Sequence, residues 1–79
     1  MAFPEIEKGT GGNAVRIKRQ LVEQAIVYAA QGLWADAADT NRKILEMGAD
    51  AEAENRLAKA FWEQGELGEA REHYQVALA

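Results

Sequence analysis

The sequence has no cysteine, and it has only one proline and one histidine among its 79 residues. Without cysteine, neither a disulfide nor a thiolate metal site can form, and His73 alone cannot build a histidine-based metal site. The absence of cysteine leaves the redox compartment undetermined. We predict no bound metal and no cofactor.

Basic residues and long apolar runs are also scarce. A net charge of −4 argues against a nucleic-acid partner, which normally requires a basic face. No segment approaches the roughly 20 apolar residues of a membrane helix. The first residues, Met1–Glu7, lack the basic start and apolar run of a secretory signal. We therefore predict a cytoplasmic protein that binds neither nucleic acid nor membrane.

Alanine is abundant instead, with sixteen copies along the chain. Alanine has the highest helix propensity of all residues, and Pro4 is the only proline that could interrupt a helix. Valine, isoleucine and threonine are too sparse for a sheet. The composition predicts an all-α fold.

Residues 1–12 contain one proline and three glycines, and we predict a flexible N-terminal tail there. The apolar Phe3 and Ile6 leave an alternative open, in which the tail docks on the surface near Val22 and Ile26. The glycines lack the preceding strand and the following Gly-Lys-Ser/Thr of a phosphate-binding loop, so a linker is favoured.

Cap residues divide the remaining chain into four helices. Asn13 is a suitable N-cap for the first helix and Asp50 for the third. Gly32, Gly48 and Gly65 are positioned to end the first three helices. Because the connections are short, neighbouring helices should be antiparallel, giving two helical hairpins.

The chain matches itself at an offset of 33 residues. Two helices can cross closely where both carry small side chains, so the sequence predicts crossings of Ala25 with Ala37 and of Ala58 with Ala70. The matched pairs are Ala25 and Ala58, Tyr28 and Phe61, Gly32 and Gly65, Trp34 and Leu67, Ala37 and Ala70, and Leu45 and Leu78.

These units resemble tetratricopeptide (TPR) repeats, whose 34-residue pattern is W-x₂-L-G-x₂-Y followed by A-x₃-F and a proline. The resemblance implies two tandem antiparallel helix–turn–helix hairpins that form a short right-handed solenoid, with repeats over 13–49 and 50–79. It also implies a protein-binding role rather than an enzyme. The second unit carries the pattern as Glu54, Leu57, Ala58, Phe61, Ala70 and Tyr74, and the first as Leu21, Gln24, Ala25, Tyr28, Ala37 and Asn41.

Several residues depart from the family pattern. Asn41 replaces an expected aromatic residue, and Gln24 replaces an expected leucine. With Gln20 and Gln31 on the same face as Gln24, we expect a solvated face and therefore a true first repeat, although sequence drift is an alternative. No C-terminal capping helix follows the second unit, so we expect either a fragment or contacts supplied by another copy.

The resemblance also implies a binding surface, because the first helix of each TPR unit lines a concave groove. We predict apolar anchors at Val22, Ile26 and Trp62, and recognition of acidic groups by Arg56 and Lys59. A carboxylate clamp is not expected, since apolar side chains occupy groove positions that should be polar in the first unit. The predicted groove residues are Arg19, Val22, Ile26, Asn55, Arg56, Lys59 and Trp62.

The alternative function is self-association, in which a second copy completes the solenoid through Tyr74, Ala77 and Leu78. A closed symmetric pair is the expected geometry, being the commonest one. No catalytic residues are predicted, because no nucleophile and base stand in a defensible arrangement. We interpret His73 as one member of a surface pair with Glu69.

Overall fold

The computed structural model describes the backbone of residues 3–79 and the side chains of residues 12–79. The described chain is all-helical, as predicted, and contains no strand. Its four helices are α1 (Phe3–Ala30), α2 (Trp34–Glu46), α3 (Ala51–Glu63) and α4 (Leu67–Leu78). The helices α1, α2 and α3 end two residues before Gly32, Gly48 and Gly65, the glycines that were predicted to end them.

The start of α1 differs from the prediction. The helix begins at Phe3, so Asn13 is an interior residue rather than an N-cap. The flexible tail predicted over 1–12 falls largely on residues whose side chains are not described, and it stays a prediction. Pro4 suits the first turn of a helix, where its missing N–H has no intrahelical partner to lose. Each interior glycine costs only about 1 kcal/mol relative to alanine, which does not end a helix. Met1 and Ala2 lie outside the described residues.

The alternative in which Phe3 and Ile6 dock near Val22 and Ile26 depends on side chains that lie outside the described residues, and it stays a prediction.

The two turns within the hairpins share one geometry. Gly32 and Gly65 have φ angles of 74° and 81°, in the left-handed region that glycine adopts without steric cost. The Leu33 amide donates to the Tyr28 carbonyl at 2.8 Å, and the Glu66 amide donates to the Phe61 carbonyl at 2.9 Å. These bonds satisfy carbonyls at the helix ends in the Schellman manner. The 33-residue repeat is thus visible in the backbone.

Each helix packs on its neighbours in sequence. α1 packs on α2, α3 packs on α4, and α2 joins the two pairs by packing on α3. Ala25, Ala37, Ala58 and Ala70 are each at most 1% exposed, whereas their pairing at helix crossings stays a prediction. This arrangement is compatible with two helical hairpins lying side by side.

Candidate functional site

Two adjoining clefts run between α1 and α3, and Arg56 lines both of them. We call the combined surface the α1–α3 groove. One cleft has a volume of about 340 Å³ and is lined by Ala25, Ala29, Trp34, Ala37, Asn41, Asn55, Arg56, Lys59 and Tyr74. The other has a volume of about 350 Å³ and is lined by Val15, Lys18, Arg19, Val22, Asp50, Glu52 and Arg56.

The groove gathers most of the side chains that the sequence assigned to it. Five of the seven line it, whereas Ile26 lines neither cleft and Trp62 lies at a different surface. Both exceptions are about half exposed. The five that meet are Arg19, Val22, Asn55, Arg56 and Lys59.

Arg56 is held by the buried amide of Asn41, a residue that departs from the TPR pattern. The Arg56 Nε donates to Asn41 Oδ1 at 2.9 Å, and Asn41 Nδ2 donates to the Ala37 carbonyl at 2.8 Å. Asn41 is 1% exposed, so both of its polar ends are satisfied away from water. The signal in the sequence was Asn41 itself, a polar residue at a position where the TPR pattern has an aromatic one.

Lys59 carries the second positive charge of the 340 Å³ cleft. Its Nζ contacts Glu63 Oε2 at 2.6 Å and lies 5.9 Å from the centre of the Trp34 ring. The hydrogen bond to Glu63 raises the pKa of Lys59 above its ordinary value. None of the described residues that line this cleft is a carboxylate, so an incoming group there meets Arg56, Lys59 and the aromatic side chains of Trp34 and Tyr74.

Asp50 ties α1 to the start of α3. Its side chain caps α3 by accepting from the Ala53 amide at 3.0 Å, as predicted, and its Oδ2 lies 2.9 Å from Lys18 Nζ. The hydrogen bond from Lys18, followed by that from the Ala53 amide, holds the pKa of Asp50 below its ordinary value. The Asp50 carboxylate therefore both caps α3 and holds α1 beside it at this end of the groove.

Replacing Asp50 should separate its two roles. Asp50→Ala removes the cap and is expected to cost about 0.5–2 kcal/mol at neutral pH. Asp50→Asn keeps a good cap but loses the charge. Because the folded-state pKa is lowered, the ionic contribution is present at neutral pH and is lost progressively as pH falls below about 5.

Thermal melts followed by circular dichroism across this pH range provide the measurement. The gap in melting temperature between the parent and Asp50→Asn should close on acidification, since both then lack the charge. A gap that stays constant down to acid pH would show that the Lys18 contact does not stabilise the fold.

A separate apolar cleft of about 470 Å³ lies on the outer side of α4. Tyr74 and Leu78 of the predicted self-association face line it, and Leu78 is 87% exposed. Ala77 is half-buried and lines a different cleft, beside the start of α3. Trp62, Tyr74 and Leu78 therefore line one cleft, whereas Ala77 lines another.

His73 does not pair with Glu69 as interpreted from the sequence. Its Nδ1 contacts Glu54 Oε1 on α3 at 2.5 Å, and its ring stacks on Phe61 with a centroid distance of 5.5 Å. The chain contains neither serine nor cysteine, so neither of those nucleophiles can accompany this pair. The contact serves to join α3 and α4.

Comparisons with protein-family models, with curated proteins and with solved structures gave no match. Two further searches covered only the described residues. None of their helices is long and apolar enough to cross a membrane. No group of three or more histidine or acidic side chains among them could hold a metal ion.

Proposed function

We propose that the chain is a protein-interaction module of the TPR type, which binds a peptide or a helix of a partner protein in the α1–α3 groove. The observation that carries this proposal is the pair of adjoining clefts that share Arg56. They offer a surface with apolar, aromatic and basic parts, and the 350 Å³ cleft also includes the carboxylates of Asp50 and Glu52. Concave surfaces with a few convergent polar groups are the usual places for ligands.

The charges of the groove indicate the kind of peptide. The chain as a whole carries −4, yet the 340 Å³ cleft presents Arg56 and Lys59 and no carboxylate. Potentials of opposite sign attract and orient partners. Arg56 is already directed into the cleft by Asn41, so little ordering is required of it on binding. We therefore expect an acidic peptide that also places an apolar or aromatic side chain against Trp34 and Tyr74.

Selection of random peptides displayed on phage tests the proposal. Enriched peptides should be acidic and should shift the amide NMR signals of Val22, Asn55 and Lys59. Lys59→Ala should weaken their binding about tenfold, the equivalent of about 1.4 kcal/mol. Lys43→Ala, an exposed lysine on α2, is the matched control and should leave binding unchanged. Enriched peptides that bind the Lys59 variant as tightly as the parent would overturn the proposal, as would the absence of enrichment.

The second candidate function is self-association through α4. Leu78 is 87% exposed and adjoins Trp62 and Tyr74 in the 470 Å³ cleft. Exposed apolar side chains grouped in this way usually mark a contact surface. A second copy could cover them.

A further inference from the structure

The α4 cleft and a second cleft on α1 correspond, at the 33-residue offset, to the two surfaces that meet where α2 packs on α3. We call the first the tail face, lined by Trp62, Leu67, Gly68, Arg71, Tyr74, Gln75 and Leu78. We call the second the head face, a cleft of about 560 Å³ lined by Gln20, Glu23, Gln24, Val27 and Tyr28. They lie on the last and first helices of the described chain.

The internal contact that they resemble is the packing of α2 on α3. Moving the head face forward by 33 residues gives Ala53, Arg56, Leu57, Ala60 and Phe61, all of which are buried or half-buried in the fold. Moving the tail face residues of α4 back by 33 gives Trp34, Ala35, Ala38, Asn41, Arg42 and Leu45 on α2. The core cluster contains Ala38, Leu57, Ala60 and Phe61, with Trp34 and Leu45 packed against it.

The specific contacts across α2 and α3 have counterparts on the two faces. Asn41 accepts a hydrogen bond from Arg56, and the corresponding residues are Tyr74 and Glu23, a hydroxyl donor and a carboxylate acceptor. Arg42 lies 5.1 Å from the centre of the Phe61 ring, and the corresponding residues are Gln75 and Tyr28. The two faces could therefore form a hydrogen bond between Tyr74 and Glu23, and they could place Gln75 over the Tyr28 ring.

Charge also favours this pairing of faces. Arg71 is the charged residue of the tail face, and Glu23 is the charged residue of the head face. A closed symmetric pair of two tail faces would instead bring the two copies of Arg71 toward each other across the two-fold axis. Like charges facing each other across an interface are unfavourable, whereas opposite charges fix the register.

We propose that a second copy of this chain docks its head face on the tail face of the first. In this arrangement α1 of one copy packs on α4 of the other, as α3 packs on α2 within a single chain. This inference rests on the self-association candidate and specifies its geometry as head-to-tail rather than symmetric. Arg71 on α4 corresponds to the small Ala38 on α2. Because arginine is larger, α4 of one copy and α1 of the other pass farther apart than α2 and α3, and their association is weaker than the packing of α2 on α3. A head-to-tail contact continues into a ring or an open chain of copies.

Two exposed positions allow each face to be blocked by itself. Leu78→Glu places a charge on the tail face, and Val27→Glu places one on the head face, where Val27 is about half exposed. Ile17→Glu is the matched control, an equally exposed apolar residue of α1 that lines neither face. Circular dichroism establishes that each variant keeps the helicity of the parent.

Sedimentation velocity over a wide concentration range then decides the geometry. The parent and the Ile17 variant should associate beyond a dimer as concentration rises, and each blocked variant should remain monomeric. An equimolar mixture of the two blocked variants should give a one-to-one dimer, because one intact head face and one intact tail face remain.

The contrary results differ from one another. A Val27→Glu variant that still dimerises, with a Leu78→Glu variant that does not join it, would overturn the head-to-tail geometry and leave self-association standing. A parent that stays monomeric at all concentrations would overturn both, and would leave the groove proposal untouched.

Discussion

Phe61→Ala is expected to unfold most of the protein at 25 °C. Phe61 is 4% exposed, stacks on His73 and lies under the Arg42 guanidinium, so it joins three helices. Replacing a buried phenylalanine with alanine costs about 3–5 kcal/mol, through lost burial and the cavity left behind. A chain of this size has about 3–5 kcal/mol of stability in total, so the loss consumes nearly all of it.

Trp62→Ala is the matched control for this prediction. Trp62 follows Phe61 on the same helix and is an even larger aromatic residue, but it is 54% exposed. Its removal should change the free energy of unfolding by less than about 0.5 kcal/mol. Urea titrations followed by helix signal compare the two variants. Equal midpoints would mean that the side of α3 carrying Phe61 does not face the core.

Asn41→Ala should have the second largest effect, a loss of about 1–3 kcal/mol. The amide is 1% exposed and accepts a hydrogen bond from Arg56 across the contact between α2 and α3. Removing it leaves the Arg56 Nε without that acceptor in a partly buried place. It also frees the guanidinium that we propose for peptide recognition, so peptide binding should weaken together with stability.

A double-mutant cycle with Arg56→Ala isolates this contact from the packing of the two side chains. The coupling energy should be at least about 0.5 kcal/mol, as expected for residues that share a hydrogen bond. Asn55→Ala is the control, because Asn55 is exposed and its loss should leave the urea midpoint unchanged. Additive single-variant effects would show that the Asn41–Arg56 bond adds nothing to stability.

Much of the helical architecture could be predicted because local residues determine it. Gly32 and Gly65 adopt positive φ angles that few other residues tolerate, and Asp50 caps α3 through its own side chain. The four buried alanines were recognisable from their repeat at 33 residues. Each of these features is specified within one turn of the chain or by the repeat itself.

Contacts between helices were less accessible to sequence reasoning. His73 lies four residues after Glu69 on α4, yet it contacts Glu54 across the interface with α3. Trp62 was assigned to the groove, but rotation along α3 carries it toward α4 and the tail face. Helical spacing defines angles around one axis, and it does not tell which neighbouring helix occupies each angle. The start of α1 was missed for another reason, since glycine lowers helix propensity without forbidding a helix.

The order in which the helices pack has a consequence for how quickly the chain can fold. In the described part of the chain, each helix packs on the helices next to it in sequence, and the one further contact joins α1 to α3. Such a fold has a low contact order, so little loop-closure entropy is lost before its contacts form. Helical domains of this type fold within microseconds to milliseconds. A newly made copy should therefore complete its own hairpins well before it meets another copy.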